Sequence, residues 1–128
     1  MPIKICPADK VFSEFIRLRD RKCRRCGRAG DQRSDGLYIV GLQCSHYFGR
    51  GAESTRFDPD NCDSLCYGCH ELWGSKDREA YREFKIKQLG QKKFEELTKR
   101  ARTLVKRNRK QSLVEVKKLL KNWKKLND

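Results

Sequence analysis

The chain has 128 residues, a formal net charge of +14, and 38% charged against 37% hydrophobic residues. That length allows one domain, or a small core with an extension, and so polar a composition buries only a modest core that a structural metal would help to hold. The charge points to a polyanionic partner, nucleic acid before an anionic membrane surface, and no stretch approaches the ~18 apolar residues of a membrane span.

The charge is uneven. Residues 1–77 hold 13 Lys/Arg against 11 Asp/Glu, and residues 78–128 hold 18 against 6. Residues 1–76 are therefore read as an N-terminal helix plus the core that carries the chemistry. Residues 77–128 are read as a basic helical extension that packs on that core or mediates dimerisation and DNA binding. Met1 to Lys22 has no long apolar run and does not resemble a signal peptide. Four of the seven cysteines fall in two CxxC pairs, which favours metal over disulfides and a reducing, cytoplasmic setting.

Met1 to Ala8 reads as an extended lead-in. From Asp9, the pattern Val11, Phe12, Phe15, Ile16 predicts a short amphipathic helix, with Asp9 or Ser13 as N-cap and basic residues closing it. Cys23-Arg-Arg-Cys-Gly is a tight turn that aims two sulfurs at one ion. Residues 28–36 read as a loop. Leu37 to Gln43 reads as a strand that delivers Cys44, Ser45 and His46, with a short return strand at Thr55 to Phe57. Asp58-Pro-Asp-Asn61 is a turn into the second pair, Cys66 and Cys69, which starts a helix from about Leu65.

Gly74 and Ser75 break that helix. Asp77 caps the next, which carries Tyr81, Phe84 and Leu89 and ends at Gly90. Phe94, Leu97, Ala101 and Leu104 predict a further helix. Ser112 with Glu115 reads as a capping box, and Leu113, Val116, Leu120 and Trp123 form an apolar seam. The seam can pack within the chain or make a homodimer.

Thirty-nine residues separate Cys26 from Cys66, more than the roughly 15 to 20 of simple zinc ribbons, so a structure is inserted between the pairs. Four thiolates close a tetrahedral shell, which makes Cys23, Cys26, Cys66 and Cys69 a structural zinc site.

The chain's only two histidines, His46 and His70, flank Asn61 around these pairs. The order His46, Asn61, His70, with Cys23-x-x-Cys26-Gly27 and Leu65-Cys-x-x-Cys-His70, resembles the HNH endonuclease superfamily, whose ββα-metal core sits in a treble-clef setting. From Leu42 to about Ala101 the chain is closer still to the lambdoid phage NinG/Rap-type recombination nucleases: Ser45-His46-Tyr47 with Arg50, Arg56-Phe57-Asp58 with Asn61, then Tyr81-Arg82 and Gly90.

The resemblance implies a small α+β fold and a DNA endonuclease, for nicking or double-strand cleavage in recombination or DNA processing, with branched DNA as a substrate. It makes His46 the general base, His70 a ligand of a catalytic Mg²⁺ or Mn²⁺, and Asn61 a second ligand or the brace of the His46 loop. Arg50 and Arg56 are the candidate phosphate clamps. Many superfamily members carry Asp or His where this chain has Ser45, which leaves Asp58, Asp60 or Asp63 to complete the shell. The competing reading is a zinc-stabilised DNA-binding module without catalysis. An RNA-binding scaffold ranks below both, since the tail shows no aromatic stacking signature.

Overall fold

The computed structural model describes residues 3–32 and 39–127. Its first helix, α1 (Pro7–Asp20), starts earlier than the apolar pattern alone indicates. Pro7 occupies the first helical position, where a missing N–H costs nothing. Asp9 sits two residues further in and accepts the Cys6 N–H at 2.8 Å, so Asp9 serves as the acidic half of a capping box and not as the N-cap. Arg21, in the left-handed region at φ 60°, ends the helix.

The chain then turns through the first CxxC. An antiparallel bridge joins Lys22 to Ala29, and β1 (Asp31–Gln32) pairs with β2 (Ile39–Val40). Gly30 must be glycine here, because a Cβ would stand 2.3 Å from Ile39 Cγ2. The single strand expected over 37–43 is divided. Gly41, at φ 91°, separates β2 from β3 (Gln43–His46), and Leu37 and Tyr38 lie outside the described residues.

The return strand is also relocated. Residues 53–55 form a 3-10 turn, Pro59–Asn61 forms a second, and the strand that pairs with β3 is β4 (Cys62–Leu65). The register is antiparallel, with Gln43 opposite Leu65, Ser45 opposite Asp63 and His46 opposite Cys62. Alternation sends Cys44, His46, Cys62 and Ser64 to one face and Ser45, Asp63 and Leu65 to the other.

α1 covers the first face. Phe12 packs 6.2 Å from the His46 ring, and Ser64 Oγ donates to the Ile16 carbonyl at 3.2 Å. α1 is further laced to β4 by Arg19, which donates to the carbonyls of Pro59 (2.9 Å) and Cys62 (2.7 Å), while Asp20 accepts the Ser64 N–H.

The second face is covered from the C-terminal side. α2 (Tyr67–Glu71) runs into a π-helical turn at Leu72–Lys76, so Gly74 and Ser75 widen the helix and do not end it. Asp77 caps α3 (Arg78–Leu89) by accepting the Ala80 N–H, and Gly90, at φ 87°, bends the chain into α4 (Gln91–Arg102). Tyr81 stacks on Trp73 at 4.9 Å, and Tyr47 meets Tyr81 and Phe94 edge-on. Leu104 falls beyond α4 and is exposed.

α5 (Arg109–Leu126) begins at Asn108, whose side chain accepts two backbone N–H groups; Ser112 is buried inside the helix and is not its cap. Its seam is used within the chain. Val116 joins Phe12, Phe15, Ile16, Cys44 and Cys62 in one core cluster, with Leu113, Leu120 and Trp123 packed against it, and Trp123 meets Phe15 edge-on. Of the two uses open to this seam, packing within the chain is the one these contacts make. The extension over 77–128 accordingly packs on the core.

Two buried ion pairs clamp this arrangement. Asp63 accepts from Lys85 Nζ (3.1 Å) and Gln88 Nε2 (2.8 Å). Asp9 accepts from Arg56 Nε (2.9 Å) and NH2 (2.5 Å) with both side chains almost wholly enclosed. Burial opposes the Asp9 carboxylate, but the hydrogen bonds from Arg56 and Cys6 outweigh it and hold its pKa well below the usual range. A carboxyl lowered in the folded state stabilises above its unfolded pKa, near 3.8, and loses that contribution as pH falls. Asp9→Asn should therefore cost about 3–5 kcal/mol in urea denaturation at pH 7, the figure for leaving one buried charge unpaired, and the gap to wild type should begin to narrow only below about pH 4, closing as pH falls toward the lowered folded pKa. A loss under about 1 kcal/mol at pH 7 would contradict the role given to the pair.

Candidate metal centre and histidine depression

The first CxxC turn is built by the backbone. Cys23 N–H donates to Arg28 O at 2.8 Å, Gly27 N–H to Cys23 O at 2.9 Å, and Gly27 takes φ 80°. Arg24 N–H donates to Ser64 O, which docks the turn against β4. The second pair straddles the start of α2, with Cys66 as N-cap and Cys69 inside the first turn. These elements bring the sulfurs of Cys23, Cys26, Cys66 and Cys69 within 4.8 Å of one another, and Cys26 and Cys66 to 3.8 Å. A tetrahedral ion with Zn–S bonds of about 2.3 Å spaces its sulfurs by about 3.8 Å, so the four thiols can coordinate a metal such as zinc.

The local electrostatics suit deprotonation at one member. Burial works against the Cys23 thiolate, but backbone N–H groups of Cys26, Cys66 and Arg25 outweigh it and bring the thiol down to about 7. Burial pushes Cys69 up to about 12, although Arg25 donates to its sulfur at 3.4 Å. A divalent cation, by binding thiolates, replaces the remaining protons.

His46 and His70 border one depression of about 540 Å³, together with Ser45, Arg50, Gly74 and Arg78. They enter it differently. His46 is on the face toward α1, and its Nε2 lies 2.9 Å from the Arg56 carbonyl oxygen, so Nε2 carries the proton and Nδ1 keeps a lone pair. Burial, reinforced by the Arg50 guanidinium, pushes its pKa down to about 4. His70, on α2, places Nδ1 2.6 Å from Gln43 Oε1. Burial lowers its pKa as well.

Asn61 is a brace. Its carbonyl oxygen accepts the Phe48 N–H at 2.9 Å, and its amide donates to the carbonyls of Phe48 and Thr55. Fully buried and so engaged, it holds the loop after His46 and does not stand as an ion ligand.

Of the two arginines expected to clamp phosphate, Arg50 borders the depression, with its Nε 3.5 Å from Asp9 Oδ1. Arg56 does not fit that role. It is almost fully buried, its guanidinium bound to Asp9, Glu53 and the Lys4 carbonyl, because Asp9 lies inside the same pocket of the core. A second arginine at the depression, Arg78, is one that sequence reasoning passed over. Arg78 lies over the Tyr47 ring at 4.8 Å and donates to the Tyr47 carbonyl at 2.7 Å. Only its position directly after the Asp77 cap, in a chain turning back toward the core, hinted at this.

The carboxylates left to complete an ion shell are committed elsewhere. Asp58 caps the second 3-10 turn and pairs with Arg100, Asp60 pairs with the same arginine, and Asp63 is buried with Lys85 and Gln88. Among the described residues no carboxylate borders the depression. Mg²⁺ and Mn²⁺ favour oxygen ligands, so imidazole and a serine hydroxyl do not make a cage for either.

These features define a small α+β protein with a four-thiol centre able to hold a metal such as zinc. Residues 5–127 match the family model described as Bacteriophage Lambda NinG protein, and the chain belongs to that family. Comparison with curated proteins and with solved structures found no match. Among the described residues no helix is long and apolar enough to cross a membrane.

Chelation tests the metal centre. Stripping zinc should lower the melting temperature and the helical signal, zinc should restore both, and Cys66→Ala should not be restorable. Unchanged melting after complete zinc removal would show that the thiols do not support the fold. The His46 environment is tested by following its ring resonances with pH. The midpoint should fall near 4, with the neutral ring present above it. A midpoint near the solvated value of about 6.5 would contradict the burial described.

Proposed function

We propose that this protein is a DNA endonuclease that hydrolyses phosphodiester bonds in phage recombination or DNA processing. The observation that carries the reading is the meeting of His46, His70, Arg50 and Arg78 at one depression, with His70 next in the chain to Cys69 of the four-thiol centre, in a chain of the NinG family. The fold is then read as a treble-clef, ββα-metal core, with β3, β4 and α2 as its ββα unit.

His46 is the base. Its Nε2–H is fixed on the Arg56 carbonyl, and Nδ1 takes the proton from the attacking water as the new P–O bond forms; the P–O bond to the leaving sugar oxygen breaks, and that oxygen takes a proton from solvent. The low pKa keeps the ring neutral at physiological pH, although it also makes the ring a weaker acceptor than an unperturbed histidine. Arg50 and Arg78 offer guanidinium donors to the phosphate. Asn61 keeps the loop that carries Arg50 in place through Phe48. The basic residues of α3 to α5 add the non-specific attraction to DNA.

The absence of carboxylates from the rim among the described residues favours a second reading, a DNA-binding module without catalysis. Nicking of supercoiled plasmid decides between them, run with Mg²⁺ and with Mn²⁺ and on linear and four-way-junction DNA. Wild type should cleave, and His46→Ala should lose on the order of 10²–10⁴-fold, the usual share of a general base. Equal cleavage by both proteins removes His46 from the mechanism. Salt-sensitive binding with no cleavage of any DNA form establishes the second reading.

A further inference from the structure

We propose that Cys44, His46 and Cys62 form a second metal site, distinct from the four-cysteine centre, for a thiophilic divalent cation such as Zn²⁺. The strand pairing makes the constellation. Cys44 and His46 are two residues apart on β3, so their side chains leave the same face, and Cys62 stands opposite His46 on β4. On that face two sulfurs and one imidazole nitrogen lie within 4.8 Å of one another. Tetrahedral zinc with sulfur ligands at about 2.3 Å and nitrogen at about 2.0 Å spaces its ligands by roughly 3.5–3.8 Å, so about 1 Å of closure completes the set.

Two observations point to a ligand and away from ordinary core cysteines. The Nε2 of His46 is anchored on the Arg56 carbonyl at 2.9 Å, the second-layer contact that fixes tautomer and ring orientation in metal-bound histidines. In addition, Cys44 and His46 border the open depression, which gives an ion a route from solvent, while the fully buried Cys62 supplies the innermost ligand. Two thiolates and an imidazole select zinc-like ions over Mg²⁺. Three protein ligands leave one position for water or a substrate atom.

The ion and the proposed base need the same imidazole, so a filled site silences His46. That consequence rests on the nuclease reading; the metal site itself does not.

The test uses protein that keeps its four-cysteine zinc, titrated with Co²⁺ while absorbance and zinc content are followed. One added equivalent should produce a thiolate-to-cobalt charge-transfer band with zinc retained, since zinc outcompetes cobalt at nitrogen and sulfur ligands. Cys62→Ala and His46→Gln should each weaken this equivalent by at least about 100-fold, the upper end of what losing a partner behind a ligand costs, while the retained zinc certifies the fold. No band in wild type overturns the proposal. So does a band that appears only as zinc leaves, or one unchanged in both variants. Failure to cleave DNA would sink the nuclease reading and leave this count untouched.

Discussion

The Asp9–Arg56 pair is the contact on which the most other structure rests. It joins the first turn of α1 to a loop 47 residues away. Arg56 then acts through both of its parts. The guanidinium holds the start of α1, and the carbonyl orients the His46 ring. A buried charge without its partner is far more costly than one left in water, so neither side chain can be removed alone without disturbing the imidazole. The orientation of the histidine is thus a by-product of how the N-terminal helix is tied down.

The hairpin of β3 and β4 divides the interior into two unlike halves. Toward α1 and α5 it is apolar and sulfur-rich, with Phe12, Phe15, Cys44, Cys62 and Val116. Toward α3 an aromatic cluster of Tyr47, Trp73, Tyr81 and Phe94 encloses a paired polar network: the Tyr81 hydroxyl lies 3.0 Å from Ser45 Oγ and 3.2 Å from Asp63, which also binds Lys85 and Gln88. A slip of one residue would push Asp63 among the phenylalanines and His46 against Lys85, so the charged network enforces the register. It also explains Ser45. The residue before His46 faces α3, where its hydroxyl is used in packing.

What could be read from the sequence was what depends on neighbours in the chain. The two CxxC pairs, the cap at Asp77, the bend at Gly90 and the apolar seam of the last helix all act over a few residues, and the thiols do converge. The misplacements arise from partners far apart. Cys62–Leu65 is buried at every position, because helices cover both faces, so it lacks the alternation that marks a strand. Thr55 to Phe57 looked extended, but its side chains serve a buried turn. Arg56 was read as a phosphate clamp, since nothing nearby in the chain marks Asp9 as its partner. Pro7 and Asp9 did carry a helix-start signal, which the apolar pattern beginning at Val11 obscured.

The packing of α5 against α1 has a consequence for the order of assembly. Phe15 and Trp123 touch although more than a hundred residues separate them. Contacts of that span are slow to form and cannot exist until synthesis has reached the final helix. The four cysteines and the hairpin, all within the first 69 residues, can gather earlier. During translation the sulfur-rich face of the hairpin therefore waits half-covered, with Phe12, Phe15 and Ile16 lacking their last partners, and in that interval the nascent chain is most open to aggregation or to chaperones.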